Sequence, residues 1–575
     1  IRGPRTKRDP FLPWDIRQVF THPDANTTNS EILRDLERGI SSVELKVDCT
    51  GSSGVSLCDA ERFSEALDGV RADIAPVSLD HGGGTGTSAA ALLALWAEGQ
   101  TNAKAFRLDF NIDPLGSLAR LGLVEGGLDT AFRRLAALND ALSLRFPLAN
   151  TIRIDARMVR EAGGSIDQEL AAGIASAIDT LRRLDSVGVP ADRVVPRMIF
   201  SFATSANYGL EIAKLRTARL LWARCLEVLN VDAQPMMIQA CTASIMLTRY
   251  DPWVNMLRST AACFAAGVGG ADIVSVTPFN APMGVPDELG RRVARNTQII
   301  AQEESHLGKV ADPSGGAWFT ESMTQEIAES SWGLFQEIEA EGGYGASLMA
   351  DAFQARVAER RASQRKAISR RKVPITGVSE FPLLDEIPAP VADVVFEGSR
   401  ESVSDAGLKA MVPGYKAEGG EDNEAEPFWP IRWAEPFERL RDHAAMREDR
   451  TGKRPAIFLA TLGPLAEHTA RADFARNLFA AGGIEAKAAP VPPEDHAGLV
   501  AAWKASGCAL VVLCGSDTRY EAEAQSAATA LKDAGVQRLY LAGRHQAEGI
   551  DSLIHVGIDV VATLELAHAE LGIGE

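Results

Sequence analysis

The chain has 575 residues, more than one hydrophobic core usually supports, so we expect two domains joined by a linker. Apolar residues make up 46% and charged residues 24% of the sequence, which is typical of a globular protein and excludes the disordered and fibrous classes. The formal net charge of −18 opposes binding to phosphate backbones and to anionic membranes, so neither nucleic acid nor a membrane is an expected partner.

The cysteines and the apolar runs bear on the cellular compartment. The seven cysteines are scattered, odd in number and form no CxxC pair, which argues against a disulfide framework or a zinc site. No run approaches the ~18 uncharged apolar residues of a membrane-spanning helix, and the first residues lack the apolar core of a signal peptide. We therefore expect a cytoplasmic protein.

Residues 40 to 325 alternate short apolar or β-branched runs with longer helical patterns, which predicts parallel strands joined by helices. Ser205–Val228, with apolar residues at three- and four-residue spacing, is typical of a helix in a barrel wall. Eight strands over about 280 residues predict a (β/α)8 TIM barrel. The candidate strands are Val43–Val47, Pro76–Leu79, Ala105–Phe110, Thr151–Ile154, Met198–Phe202, Met236–Ala240, Ile273–Val276 and Ala317–Phe319.

The region after the barrel changes in composition. Residues 326 to 372 are predicted to be helical and to end in a basic run from Arg356 to Lys372, which indicates a solvated helix face, with an acidic partner surface as the alternative. Several prolines and the acidic stretch Glu418–Glu426 then predict an extended belt or linker between residues 380 and 450.

A second α/β pattern begins near Arg454 and predicts a doubly wound sheet of flavodoxin-like size, which would bind a ligand at its carboxyl edge. The predicted domains are an N-terminal arm (1–39), a barrel with trailing helices (40–372), a linker (373–452) and an α/β domain (453–575). The candidate strands of the last domain are Ala456–Ala460, Ala486–Val491, Ala509–Leu513, Leu539–Leu541 and Asp559–Val561.

Three small glycine-containing segments are better interpreted as turns or linker ends than as catalytic or nucleotide-binding motifs. His81–Gly86 (HGGGTG) is predicted to be a tight strand-to-helix turn, because no GxSxG nucleophile motif accompanies it. Gly267–Asp272 precedes an apparent strand, whereas a dinucleotide fingerprint must follow one. Thr451–Arg454 lacks the glycine spacing of a P-loop.

Longer segments carry a more specific resemblance. Pro13–Gln18 (PWDIRQ), Arg197–Phe202 (RMIFSF) and Glu211–Trp222 (EIAKLRTARLLW) are similar to motifs of the cobalamin-dependent acyl-CoA mutases, of which the methylmalonyl-CoA mutases are members. Further matches follow in the family's order up to about residue 380, at Arg295–Gln298, Glu303–Ser305, Val310–Gly316 and Pro374–Val378. The resemblance implies a barrel built for an acyl-CoA and a C-terminal sheet built for cobalamin, the cofactor that carries the radical chemistry.

The departures from the family pattern fall at its chemical positions. No histidine occurs between His81 and His306. The family segment Tyr-His-Met-x-Glu-Ala-Gly, whose histidine faces the substrate thioester, matches Arg157–Gly163, so its histidine position holds Met158, which has no proton to donate. The family's substrate-carboxylate arginine falls on Met237, which cannot clamp an anion. Other polar family positions fall on Asp9, Asp272 and Ser275.

The cobalamin-binding segment of the family is Asp-x-His-x-x-Gly, in which the aspartate orients the histidine that ligates cobalt. The corresponding residues here are Ala466, His468 and Arg471. The resemblance therefore implies a histidine without its orienting carboxylate and an arginine where a bare backbone is needed. We expect His468 to be a solvated residue at a helix start, and this chain to bind no cobalamin. Cys508–Ser516 and Leu541–Gly543, which line the nucleotide tail in working domains, are expected to preserve the sheet.

These losses favour a chain that keeps the family's fold without its chemistry and has no catalytic or metal-binding residues of its own. Ser244–Arg258 and Phe264–Asp272 are more similar to the non-catalytic subunits of heterodimeric members than to the catalytic subunits. The resemblance implies a larger catalytic partner that binds adenosylcobalamin and the acyl-CoA and interconverts (R)-methylmalonyl-CoA and succinyl-CoA. A G-protein chaperone is a further candidate partner.

Two other functions stay open at the level of sequence. Loss of the carboxylate arginine alone would fit an active mutase for a different acyl-CoA, and a retained barrel pocket would fit a regulatory subunit that senses a CoA ligand. Arg5 and Arg17 are the candidate contacts for CoA phosphates near the barrel entrance. Salt bridges at the surface or at an interface are the alternative for both arginines.

Overall fold

The computed structural model describes residues 13–81, 85–394, 403–412, 420–489 and 495–574. The candidate residues Arg5 and Asp9, and part of the His81–Gly86 turn, lie outside these ranges. The chain divides into two compact units, which we call the barrel unit and the C-terminal unit. The barrel unit consists of Ile1–Leu247, Asn255–Arg361 and Pro390–Ile431, and the C-terminal unit of Thr248–Val254, Ala362–Ala389 and Arg432–Glu575.

The strands are short, as is usual for α/β proteins. They are β1 (Asp15–Phe20), β2 (Ser42–Val47), β3 (Val77–His81), β4 (Leu108–Ile112), β5 (Leu123–Val124), β6 (Asn150–Asp155), β7 (Met198–Thr204), β8 (Met237–Thr242), β9 (Ile273–Ser275), β10 (Asn423–Glu424), β11 (Ala456–Thr461), β12 (Glu485–Ala488), β13 (Leu510–Cys514), β14 (Arg538–Ala542) and β15 (Ser552–Ile554).

The helices alternate with these strands along most of the chain. They are α1 (Ala25–Glu37), α2 (Ala60–Ala66), α3 (Thr87–Glu98), α4 (Pro114–Leu121), α5 (Gly127–Arg145), α6 (Arg157–Glu161), α7 (Ile166–Ser186), α8 (Ala191–Val194), α9 (Tyr208–Val228), α10 (Trp253–Val268), α11 (Glu288–Ile299), α12 (Trp318–Ala340), α13 (Tyr344–Met349), α14 (Ala352–Ser369), α15 (Ala406–Met411), α16 (Glu435–Thr451), α17 (Leu465–Ala480), α18 (His496–Ser506), α19 (Asp517–Asp533) and α20 (Val560–Glu570). Within the described ranges, no helix combines the length and the apolar character needed to cross a bilayer.

The barrel unit contains the predicted eight-stranded parallel barrel, closed in the order β1-β2-β3-β4-β6-β7-β8-β9. Seven of the eight predicted strands are confirmed, with shifts of a few residues at their ends. The prediction of a strand at Ala317–Phe319 is wrong, because Trp318 and Phe319 begin α12. A three-residue apolar run after a glycine pair fits a strand and a helix start equally well, so periodicity alone could not separate them.

The missing strand is β1, which pairs with β2 on one side and with β9 on the other and so closes the barrel. It lies within the segment that the sequence assigned to an N-terminal arm, so the barrel begins well before residue 40. Polar residues at Asp15, Arg17 and Gln18 hid this strand in the sequence. Arg17 is compatible with a buried strand because it pairs with Asp109 inside the barrel, whereas the next residue, Gln18, points to the other face of the strand.

The predicted belt is divided between the two units: Pro390–Ile431 belongs to the barrel unit, and the rest of it, which includes α16, belongs to the C-terminal unit. Strand β10 pairs with β5 in an antiparallel ladder, and Leu408 and Met411 of α15 are buried. Phe428 is buried as well. The prolines of this stretch suit an extended segment that lies along a surface.

The C-terminal unit contains five parallel strands in the order β12-β11-β13-β14-β15, which confirms the doubly wound, flavodoxin-like prediction. The prediction of a strand at Asp559–Val561 is wrong, and the fifth strand is β15 instead. Asp559 is the N-cap of α20, because its side chain accepts a hydrogen bond from the N–H of Ala562. Part of the predicted strand Ala486–Val491 lies outside the described residues.

A fully buried charge cluster fixes the wall helix α9 to the barrel. The Lys214 Nζ atom of α9 lies 2.9 Å from the Glu169 carboxylate of α7 and 2.5 Å from that of Glu211, and all three side chains are fully buried. Glu169 also accepts a hydrogen bond from the N–H of Ala203, at the end of β7. The cluster therefore joins α7, α9 and β7, and each of its buried charges is neutralised by the others.

We expect Lys214→Met to lower the free energy of unfolding of the barrel unit by about 3–5 kcal/mol, because it removes the closer of the two cations, Lys214 and Arg160, that neutralise two buried carboxylates. The midpoint of urea unfolding, followed by circular dichroism, measures the effect. Arg224→Met on the same helix is the matched control, since Arg224 pairs with Glu227 at the surface and such pairs contribute ~0–1 kcal/mol. Equal shifts for the two variants would contradict the structural role of the cluster.

Candidate functional site

The interior of the barrel is polar, and its side chains pair across the lumen. Glu44 of β2 lies 3.2 Å from the Arg153 guanidinium of β6 and accepts a hydrogen bond from Gln239 of β8 at 2.5 Å. Since β2 neighbours neither β6 nor β8 in the barrel, these contacts cross the interior. Ser275 of β9 joins them through a 3.3 Å contact with Gln239.

The carboxyl end of the barrel, where enzymes of this fold place their active sites, holds five paired charges. Asp80 lies near the end of β3 and Asp155 ends β6. Asp155 pairs with Arg120 at 2.5 Å and with Arg157 at 2.7 Å, and Asp80 pairs with Arg153 at 2.9 Å and with Arg120 at 3.1 Å. We call Asp80, Arg120, Arg153, Asp155 and Arg157 the lumen network.

The charges of the lumen network hold one another ionised. Burial alone would favour the neutral form of Asp155, but the guanidiniums of Arg157, Arg153 and Arg120 hold the pKa of this carboxyl well below its usual range. The same three arginines lower the pKa of Asp80 against its burial. Both carboxylates therefore stay charged at neutral pH, and the arginines that surround them are neutralised within the chain.

Helix α6 places Arg157 and Met158 at the positions where the family pattern has its tyrosine and histidine. Glu161, at the end of α6, accepts hydrogen bonds from the N–H groups of Ser244 and Ile245 and so fixes the helix to the loop after β8. Arg157 donates two hydrogen bonds to Asp155, at 2.8 and 2.7 Å. Met158 is 6% exposed and belongs to the hydrophobic core.

The structure does not bring the other candidate residues of the barrel together with Met158. Met237 is the first residue of β8, so it lies at the opposite end of its strand, where its sulfur is 3.7 Å from the side-chain nitrogen of Asn150. Asp272 pairs with Arg219 at 3.1 Å and accepts a hydrogen bond from the N–H of Ile238. These residues hold the barrel strands and their connections.

Arg17, the described candidate for a CoA phosphate, is 1% exposed. Its guanidinium donates to Asp109 of β4 at 2.6 Å and to Ser42 of β2 at 3.1 Å. The arginine is therefore already paired inside the barrel.

His81 is the histidine nearest to the lumen network, since it follows Asp80 in β3. Its Nε2 atom lies 2.6 Å from the carbonyl oxygen of Phe110, so this nitrogen carries the proton and donates it to that carbonyl. Burial lowers the pKa of the imidazole to about 4. At neutral pH the second ring nitrogen of His81 is therefore an acceptor and not an acid.

The carboxyl edge of the C-terminal sheet is the counterpart of the family's cofactor site, and the structure places Ala466, His468 and Arg471 in helix α17. His468 is 5% exposed, so the expectation of a solvated histidine is wrong. Its Nδ1 atom lies 3.1 Å from the carbonyl oxygen of Gly463. The imidazole is therefore covered by the chain, and its Nδ1 atom is directed at the backbone.

Arg471 joins α17 to the segment that follows β13. Its guanidinium donates to the carbonyl of Gly515 in the turn after β13 at 2.8 Å and to the carboxylate of Asp517 at the start of α19 at 2.6 Å. It also lies over the Tyr520 ring, 4.8 Å from its centroid. A Cβ atom added to Gly543, which follows β14, would be 3.2 Å from the same guanidinium, so the arginine fills the space between these turns.

Tyr520 completes the covered edge, and sequence reasoning missed it. Its hydroxyl accepts a hydrogen bond from the N–H of Gly515 at 2.9 Å and lies within donating distance of the carbonyls of Leu513 and Ala542, at 3.0 and 2.9 Å. The lumen network was missed as well, although Asp80 and Asp155 each follow a predicted strand directly, a position that could have indicated them. In the part of the chain that the structure describes, no three His, Cys, Asp or Glu side chains form a metal-binding group.

The comparisons with known proteins agree with this architecture. The family model described as methylmalonyl-CoA mutase matches residues 1–405. The methylmalonyl-CoA mutase small subunit of Streptomyces virginiae is 41% identical over 561 residues, which cover 97% of this chain and 85% of that protein. The probable methylmalonyl-CoA mutase small subunit of Mycobacterium tuberculosis (strain ATCC 25618 / H37Rv) is 35% identical, with 100% of this chain and 88% of that protein covered.

A methylmalonyl-CoA mutase of Rhizobium meliloti (strain 1021) that does not carry the small-subunit name is 28% identical over 413 residues, which cover 68% of this chain and 58% of that protein. The family match thus includes the barrel, and the match to the small subunits includes nearly the whole chain. From the family model and from relatives of this similarity, the chain belongs to the methylmalonyl-CoA mutase family.

Proposed function

We propose that this chain is the non-catalytic, structural subunit of a heterodimeric methylmalonyl-CoA mutase. It would support the adenosylcobalamin-dependent interconversion of (R)-methylmalonyl-CoA and succinyl-CoA on a larger partner subunit. The observation that carries the proposal is the lumen network, in which Arg157 and its partners occupy the carboxyl end of the barrel with charges that are already paired. The small-subunit names of the nearly full-length relatives support the same role.

A substrate at this end of the barrel would have to break the lumen network. To admit a thioester, Arg157 must leave Asp155, whose side chain is only 2% exposed. Breaking a buried pair in this way costs about 3–5 kcal/mol, because the remaining charge has no water to solvate it. The network therefore opposes binding in addition to lacking a catalytic group.

Neither Met158 nor His81 can serve as a proton donor beside the lumen network. Met158 has a thioether, and His81 already donates its one proton to the Phe110 carbonyl. Arginine stays protonated at all relevant pH values, so the three guanidiniums of the network are poor general acids. The chemistry of the family would have to be supplied by another chain.

The residues at the carboxyl edge of the C-terminal sheet do not fit cobalamin. His468 is covered and its neighbour two residues earlier is Ala466, which has no carboxylate to orient an imidazole. Arg471 and Tyr520 fill the space between the turns after β13 and β14. We therefore assign the cofactor to the larger subunit.

The structural role has a thermodynamic basis. A folded partner that binds only the native state of the larger subunit stabilises that state by mass action. A chain that keeps the family's barrel and sheet offers a large preformed surface for this purpose, and it needs no chemistry of its own. Loss of the chain would then lower the amount of active enzyme by destabilising the larger subunit.

The first test separates the two subunits. The full chain and the larger subunit are purified apart and together, and each sample is assayed for bound corrinoid by visible absorbance and for succinyl-CoA formation. We expect corrinoid and turnover only in fractions that contain the larger subunit, and a higher thermal midpoint of that subunit when this chain is present. His468→Ala in this chain should leave the corrinoid content of the complex unchanged. Stoichiometric corrinoid on the isolated chain, lost in His468→Ala, would overturn the proposal.

The second test concerns the lumen network. We expect Asp155→Asn to lower the free energy of unfolding of the barrel unit at pH 7 by about 3–5 kcal/mol, because three guanidiniums lose a buried counter-charge. Since the folded pKa of Asp155 is depressed, its stabilising effect is complete above the unfolded-state pKa of about 3.9 and is lost as pH falls below it. The gap between wild type and variant should therefore be equal at pH 7 and about pH 5 and narrow below about pH 4.

Urea unfolding at each pH measures this gap. Asp73→Asn is the control, because Asp73 forms an exposed pair with Arg71 and should shift the midpoint little at any pH. A gap for Asp155→Asn that stays constant down to pH 3 would show that its carboxylate is not held ionised by the arginines.

A further inference from the structure

The outer wall of the barrel unit carries an exposed apolar face that neither the fold nor the proposed chemistry uses. Trp318 is 90% exposed, Val310 65%, and Tyr208 and Phe319 57% each. We call the set that these side chains form with their neighbours on α10 the aromatic face, and its members are Tyr208, Leu257, Phe264, Val310, Trp318 and Phe319. Leu257 and Phe264 lie two turns apart on one side of α10, and Phe264 meets the Tyr208 ring edge-on at 5.9 Å between centroids.

Four members of the aromatic face, Tyr208, Phe264, Val310 and Phe319, line a cavity of about 580 Å³. Helices α9, α10 and α12 and the loop from His306 to Ser314 form its walls, and the floor includes Ile212 and Val268. None of the described residues that line it is Asp, Glu, Lys or Arg. A cavity without fixed charge selects an apolar occupant, because a charged group would lose its hydration without gaining a partner.

An ion pair between Arg216 and Asp312 fixes the walls of the cavity, and Asp312 belongs to a family-like segment that has no role in the proposed function. Asp312, in the Val310–Gly316 segment, accepts two hydrogen bonds from the Arg216 guanidinium of α9, at 2.9 and 3.1 Å. Arg216 is 1% exposed and also pairs with Glu321 of α12 at 2.9 Å. These contacts fix the loop and two of the three helices that line the cavity, so a partner would meet a largely preformed surface and lose little entropy on binding.

Gly209 allows the Phe319 ring to approach the backbone of α9 closely beside the cavity. A Cβ atom on Gly209 would lie 2.9 Å from the Phe319 ring, so the glycine lets this ring rest against the start of α9. The ring thereby forms one side of the cavity while more than half of its surface stays exposed.

The size and composition of the aromatic face match the centre of a protein interface. Aromatic side chains bury ~150–250 Å² each, so the exposed parts of these six residues amount to roughly 600 Å². A standard interface buries about 800 Å² per partner, and its core is enriched in Tyr, Trp and Phe. The exposed apolar area of the aromatic face is therefore larger than isolated surface residues would give, and it is large enough to form most of one side of a stable protein interface.

We propose that the larger mutase subunit docks on the aromatic face and inserts an apolar side chain into the cavity beside Phe319. This inference rests on the proposed function, and it identifies the surface through which this chain would bind the larger subunit. A second copy of this chain is a less suitable occupant, because two chains that each carry a net charge of −18 repel one another as they approach.

The experiment measures association of the full chain with the larger subunit for variants of the aromatic face. Val310→Asp and Phe319→Asp place a charge in the contact, and both sites are exposed enough to leave the fold intact. An aspartate in the first turn of α12 is moreover favoured by the helix dipole. Phe319→Leu is the conservative control, and Leu148→Asp places the same charge at a 57% exposed site that lies outside the aromatic face.

We expect both aspartate variants of the aromatic face to weaken association at least about tenfold by titration calorimetry, while Phe319→Leu and Leu148→Asp bind as wild type. Thermal unfolding of each isolated variant verifies that it is folded. Unchanged association of folded Val310→Asp and Phe319→Asp overturns the inference and leaves the proposed function standing. A homodimer of the isolated chain that Val310→Asp dissociates also overturns it, because the face then belongs to a second copy. Failure of wild type to bind the larger subunit overturns the proposed function itself.

Discussion

Opposite charges that neutralise one another inside the barrel determine what this protein can and cannot do. Arg153 and Glu44 pair across the lumen, and Asp155 and Asp80 bind the guanidiniums of Arg120, Arg153 and Arg157 at its carboxyl end. The interior of a parallel barrel must be filled by side chains, and in most such barrels these side chains are apolar. This barrel uses ions instead, and buried ions are stable only when every charge has its partner. The same pairing leaves none of the five charges of the lumen network without a partner inside the chain.

The C-terminal sheet repeats this principle with a different set of contacts. Its carboxyl edge is the position at which a doubly wound fold ordinarily opens a crevice for a ligand. Arg471 and Tyr520 span that crevice here, and their polar atoms are satisfied by backbone carbonyls, an N–H group and Asp517. In both units the position of a binding site is thus occupied by side chains whose hydrogen bonds are made within the chain. The proposed structural role requires a stable fold, and these internal contacts stabilise it.

The sequence predicted both folds because their strands are apolar runs between helical patterns, and it failed where that pattern is broken. Strand β1 was assigned to an arm because Asp15, Arg17 and Gln18 are polar, and only the structure shows that Arg17 pairs with Asp109 inside the barrel. Asp559–Val561 was assigned to a strand although Asp559 caps a helix, since a short apolar run fits either element. The family pattern located Met158 and Arg471 as departures, but their contacts depend on residues far away in the chain, such as Asp80 and Tyr520. Such contacts cannot be derived from spacing.

The pairing of Arg157 with Asp155 also has a consequence for the history of the chain. A single substitution that restored the family's aromatic residue at position 157 would remove a guanidinium and leave a buried carboxylate short of its counter-ion. A single substitution at Asp155 would strand the arginines in the same way. Under the proposed role, a one-step change at Arg157 or at Asp155 therefore passes through a less stable protein, which disfavours a return of the family's residue at position 157.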